Sequence, residues 1–199
     1  LRRPGRGLLM AMVLLLVCTM MTAITIVREK EMGTMEIMLV SPMRPQMVVI
    51  AKAVPYLLLS TVNIASILLL SVFVLEVPIN GSLLLLVAES VLFILVSLSL
   101  GLLISSNAHS QQTAMFISLV GMFLPTVMLS GFMFPVENMP LPLRTVSNIV
   151  PAKWYFIIVK SVMIKGVGLE VIWKETLVLT GMLLFFLAVA IKRFKIRLA

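Results

Sequence analysis

The sequence predicts an all-α, polytopic transmembrane helical bundle of about five spans, and three observations predict it. Hydrophobic residues make up 61% of the 199-residue chain and charged residues only 12%, with a mean hydropathy of +1.16. Average soluble domains are roughly 45–50% apolar and about 25% charged, so a soluble fold of this size could not hide this much apolar surface. The apolar residues also fall in long uncharged runs, and a bilayer core of about 30 Å is crossed by about 20 such residues in helix. Finally, basic residues stand beside those runs, at Arg2-Arg3-Arg6, Arg28-Lys30 and Lys192-Arg193-Lys195-Arg197, where they anchor against anionic headgroups.

Each span follows from its run. Without water, every backbone polar group must be satisfied within the segment, which selects helices. The first span covers Leu8–Val27. Its uncharged stretch is too long for a typical signal-peptide core and lacks a clean small-x-small cleavage site followed by a soluble domain, and the absent initiator Met suggests a fragment of a longer protein. The second covers Ala53–Leu75, with Asn63 as its most polar member. The third covers Ser82–Ser105 and carries Glu89. The fourth covers Gln112–Gly131, with Gly121 and Pro125 inside it. The fifth covers Val171–Ile191, with Trp173 near one interface and the basic tail at the other.

The whole chain, 1–199, reads as one transmembrane domain. The short connections Glu76–Gly81 and Ser106–Gln111 force antiparallel hairpins. The segment 132–170 mixes Pro135, Pro140, Pro142 and Pro151 with apolar stretches such as Trp154–Val159. It is too broken for a span and too apolar for a free loop, which suits interfacial or re-entrant short helices. Alternating spans put eight Lys/Arg on each side of the membrane, so charge counting alone does not orient the chain. Discounting long loops tilts the Arg28–Lys52 side toward the cytoplasm.

Composition also excludes several functions. The net charge of +8 comes without a nucleic-acid recognition motif, and nucleic acid is not an expected partner. The single cysteine, Cys18, cannot form an internal disulfide. His109 has no paired ligand, and the 16 methionines are spread over many spans, so no metal site is expected. No G-x-x-x-x-G-K-[ST], G-x-S-x-G or H-E-x-x-H pattern occurs. The chain therefore has no P-loop or catalytic motif of its own, and no cofactor is expected.

The region 28–45 is the most informative. After Arg28-Glu29-Lys30-Glu31, Gly33 lets the chain turn and Thr34 is placed to cap a new helix. Glu36 falls in its first turn, where the helix dipole favours an acid. Met35, Met38 and Leu39 share one face at i, i+3 and i+4, and Pro42 ends the helix. A short amphipathic helix at the membrane surface results. Physics leaves two readings open: an interfacial anchor, or a docking helix whose apolar face enters a groove on a partner.

The pattern R-E-K-E-x-G-T-M-E-x-x-L-V-S-P in this region closely resembles the coupling helix of type-2 ABC exporter permeases. The resemblance continues through Ala51–Tyr56, Ser97–Ser105, Leu129–Pro140 and Ile149–Tyr155, in the family's order and over nearly the whole chain. It implies six spans in the full family, many members having a large extracytoplasmic domain between the first two, so that this chain begins just before the family's second span. It also implies a separate ABC ATPase subunit that binds the ATP, a second permease subunit (homo- or heterodimer), membrane lipids around the bundle, and a bacterial inner-membrane location. Residues 132–170 become the outer re-entrant segment. Gly33, Thr34, Met35, Glu36, Met38 and Leu39 become the ATPase-coupling residues.

Glu89 and Asn63 are candidates for an intramembrane polar site, weighed against solvation at the outer interface for Glu89 and structural hydrogen bonding across helices for Asn63. A membrane-embedded lipid-modifying enzyme would need clustered His, Asp or Glu, which the scattered acids and lone His do not supply. A non-transporting membrane scaffold is the other alternative.

Overall fold

The computed structural model describes residues 5–32, 54–55, 58, 61–62, 65, 81–129 and 140–196. Among these residues helices, joined by short links, are the only regular secondary structure. Helix α1 is Gly5–Glu31 and α2 is Leu83–Asn107. Helix α3 runs from Gln111 to Leu129 with a π turn at Leu119–Phe123. Helix α4 is Leu141–Ser147, α5 is Pro151–Lys165 and α6 is Leu169–Ile196. By length and composition, Leu83–Asn107, Gln111–Leu129 and Leu169–Lys192 can each cross a membrane.

The local chemistry accounts for the boundaries. The Ser82 hydroxyl accepts from the Leu85 amide, and the Ser110 hydroxyl accepts from the Thr113 amide at 3.1 Å, so both sites cap helix starts. The π turn surrounds Gly121 and precedes Pro125; a proline inside a helix cannot donate its i→i−4 bond, and a wider turn accommodates that loss. Pro151 opens α5, where its missing N–H costs nothing. Gly166 closes α5 with φ 66°, a left-handed conformation that suits a residue without Cβ.

Packing fixes the directions. Thr19 of α1 lies against Ser97 and Gly101 of α2, while Ala23 and Val27 pack with Ile104 and Ala108. On α6, Thr176 meets Glu89 and Ala190 packs with Leu102 and Ile26. Helices α1, α2 and α6 therefore run parallel, and the three-residue link Ala108–Ser110 turns α3 back against them. Parallel α1 and α2 is the arrangement that one intervening span produces; the segment expected to supply it, Ala53–Leu75, lies largely outside the described residues. The main core joins α1, α2, α5 and α6 through Leu15, Leu86, Phe93, Ile94, Tyr155, Ile158, Ile172 and Leu179.

Among the described residues, the first, third, fourth and fifth expected spans fall on helices with small shifts, and the short helix expected in region 28–45 lies outside them. The helix of the first span continues four residues past Val27 to Glu31, and that of the last span extends to Ile196, because charged helix ends project into water beyond the apolar length. In the expected re-entrant segment, the described part, from Pro140, contains α4 and α5. At 7 and 15 residues both are too short to span.

Candidate functional site

Two polar centres occupy opposite ends of the bundle. At the end where α2 and α6 begin, Glu89 sits in the second turn of α2 and is only 3% exposed. Its Oε1 accepts a hydrogen bond from the Thr176 hydroxyl at 2.7 Å, while Oε2 is buried without a hydrogen-bond partner. The next residue, Ser90, shares a 2.7 Å hydrogen bond with the Tyr155 hydroxyl. The Tyr155 ring stacks on Phe93, with centroids 4.2 Å apart and planes 4° from parallel. Thus α5 and α6 are each joined to α2 by a polar contact within an apolar core. Such contacts fix which faces meet, because a displaced hydroxyl or carboxylate in this core would lose its partner.

The turn between α4 and α5 adds a third feature at this end. The Lys153 ammonium is buried and donates to Ser147 Oγ at 2.9 Å and Asn148 Oδ1 at 2.6 Å. The Trp154 indole donates to the Asn148 carbonyl at 2.9 Å. This polar knot folds the two short helices onto each other. Trp154 and the half-exposed Trp173 lie at this same end of the bundle, and such aromatic side chains favour the membrane boundary.

At the other end, Glu31 closes α1 and Gln111 opens α3. The Gln111 backbone N–H donates to Glu31 Oε1 at 2.9 Å, and the Gln111 side-chain amide donates to Oε2. These two hydrogen bonds, the side-chain one first, hold the Glu31 carboxyl below its ordinary value, outside the apolar span. Beneath them, Ala23, Val27, Ile104, Ala108 and Ala114 form a small apolar cluster of short side chains.

Of the residues singled out from sequence, Glu89 is buried and joined to Thr176. Asn63 and Gly33, Thr34, Met35, Glu36, Met38 and Leu39 lie outside the described residues, as does most of the region 28–45. The structure does not bring His109, which is exposed, into any cluster with other metal-ligating residues among those described. Sequence reasoning missed Ser90, Tyr155, Thr176 and the Glu31–Gln111 pair. A single Ser or Thr in an apolar helix carries no pattern, so only the α2 stripe Ser90, Ser97 and Gly101, at spacings of seven and four, offered a signal that one face was tightly packed.

Comparison with known proteins completes the picture. The family model described as ABC-2 type transporter matches residues 2–164. The chain is 38% identical over 146 residues to the Escherichia coli protein named "Probable multidrug ABC transporter permease YbhS", covering 73% of this chain and 39% of that protein. It is 34% identical over 167 residues to the permease YbhR of the same organism, covering 84% and 45%. It is 30% identical over 177 residues to the E. coli inner membrane transport permease YhhJ, covering 88% and 47%. The chain thus spans less than half the length of these relatives. No solved structure gives a significant match. With most of its length matched by the family model and its helices parallel and antiparallel as alternating spans require, the chain belongs to the ABC-2 type transporter family of membrane proteins.

Proposed function

We propose that this chain is part of the membrane-spanning permease of an ATP-driven exporter. A separate ABC ATPase subunit binds and hydrolyses ATP, and the permease alternates between inward- and outward-facing states without an ATPase site of its own. Two permease subunits form the path, in the inner membrane of a bacterium, with Lys30, Arg44 and Lys195 cytoplasmic and Asn138 external. The observation that carries the reading is the position of the R-E-K-E-x-G-T-M-E pattern. It begins at the charged end of α1, beside the start of α3, in a chain whose matched relatives are named as transport permeases. Gly33–Val40 docks into a groove of the ATPase through Met35, Met38 and Leu39.

The test is pull-down of the ATPase by the full-length permease, with ATPase stimulation measured in nanodiscs. Burying two or three such side chains contributes several kcal/mol, at about 1.5–3 kcal/mol each before association costs. Met38→Asp puts a charge into that apolar contact and is expected to reduce both binding and stimulation strongly. Full binding and full stimulation by Met38→Asp would leave the segment as an interfacial anchor and remove the exporter reading's main physical support.

A further inference from the structure

We propose that Glu31 and Gln111 form a positioning clamp that ties the chain entering the ATPase-docking segment to the start of α3, so that movement of that segment is passed into the membrane through α3. The inference rests on the exporter reading above and deepens it. Glu31 is the last residue of α1, two positions before Gly33, and Gln111 is the first residue of α3. Both oxygens of one carboxylate are engaged by one residue, 80 positions away in sequence. The backbone donor is a first-turn amide of α3 that no helical carbonyl can satisfy, and a carboxylate is the group the helix dipole favours there. The neighbouring cap, Ser110 to Thr113, holds the same turn in place.

The clamp is not explained by fold stability. Glu31 is exposed, and water competes for exposed polar contacts, which stabilise folds little. Beneath it, Ala23, Val27 and Ala114 already hold α1 to α3. What two hydrogen bonds accepted by one carboxylate add is orientation: rotation of the end of α1 either breaks them or turns the first residue of α3 with it. Helix α3 can follow that turn by bending at its middle, where the π turn Leu119–Phe123 has no buried side chain and Pro125 follows.

The experiment uses the full-length permease with its ATPase, reconstituted in proteoliposomes, and reads transport per ATP hydrolysed beside ATPase pull-down and thermal stability. Glu31→Ala and Gln111→Ala are each expected to lower transport per ATP by about fivefold or more, with bound ATPase and thermal stability close to wild type. Their combination should be no worse than Glu31→Ala alone, since that change already removes both hydrogen bonds, whereas Gln111→Ala leaves the backbone one. Gln111→Glu sets two carboxylates against each other and should be defective. Adding Glu31→Gln to it exchanges the roles of the two side chains, restores both hydrogen bonds and should recover coupling. Wild-type transport per ATP in Glu31→Ala, or no recovery in the exchanged pair, would overturn the clamp while leaving ATPase docking intact. A wild-type permease that binds no ATPase would overturn the docking reading and the clamp with it.

Discussion

Gly101 is where the α1–α2 contact can be tested most directly. A Cβ added there would lie 2.7 Å from Thr22 Cβ and 2.8 Å from the Thr19 carbonyl oxygen. Neither neighbour can swing aside: one is a backbone atom, and the other is the Cβ of a side chain whose hydroxyl donates to the Cys18 carbonyl at 2.7 Å. Reaching an ordinary contact requires the helices to part by about 0.7 Å or more, which also strains the Thr19 to Ser97 hydrogen bond of 3.2 Å. Overpacking of this kind costs about 1–3 kcal/mol, and a hydrogen bond between membrane helices contributes about 0.6 kcal/mol more.

Gly101→Ala is therefore expected to lower unfolding free energy by about 1–3 kcal/mol, and Gly101→Val by more. Gly181→Ala on α6, where a Cβ meets nothing within 4 Å, is the control. It should be neutral or mildly stabilising, because alanine is the better helix former by up to about 1 kcal/mol. Steric trapping or denaturant unfolding of the full-length protein in bicelles reads both. If Gly101→Ala stays within about 0.5 kcal/mol of wild type, α1 and α2 do not meet at this position as described.

Three further outcomes follow from the polar centres. Tyr155→Phe keeps the stack on Phe93 but removes the hydrogen bond to Ser90, so unfolding measurements should show a loss of about 1 kcal/mol; no loss would mean the hydroxyl is not held there. Glu89→Gln retains an oxygen to accept from Thr176 and should assemble normally, changing transport less than Met38→Asp does; complete loss of export with normal assembly would show that the carboxyl itself acts in transport. Because the Glu31 carboxyl is held below its ordinary value, its clamp is fully formed above the usual carboxylate range and is lost as pH falls through the lowered value. In a sample labelled with ¹⁵N-glutamine, the Gln111 amide resonance should titrate below the ordinary Glu range in wild type and lose that titration in Glu31→Gln; an inflection in the ordinary range would refute the two hydrogen bonds.

The fold was more legible than the site because the two rest on different signals. Spans are written in redundant runs of apolar residues, and α2 and α6 could each tolerate several changes and still read as spans. Their ends were less legible: charged residues such as Glu31 sit outside the apolar run yet still inside the helix. The polar contacts depend on single residues. Thr176 looks like any threonine in an apolar helix until α6 is placed beside Glu89. Ser90 and Tyr155 are 65 positions apart, and only the packing of α5 against α2 makes them partners. The spacing of Met35, Met38 and Leu39 is a local signal within a few residues, and these positions lie outside the described residues.

The distribution of burial argues for how the bundle divides its work. More than half of the apolar window of α2 is buried by protein, against 17% for α3 and 11% for α6. Helix α2 also carries contacts to every other major helix: Gly101 to α1, Ser90 to α5 and Glu89 to α6, with α3 following it through a three-residue turn. A helix locked on several faces can shift only by breaking several contacts together, whereas α3 exposes Phe116, Val120, Phe123 and Leu124 and can tilt at small cost in protein contacts. Movement entering at the end of α1 would then meet a fixed α2 and a yielding α3. The pair joined by Glu31 and Gln111 is the pair in which a rotation of one helix end has somewhere to go.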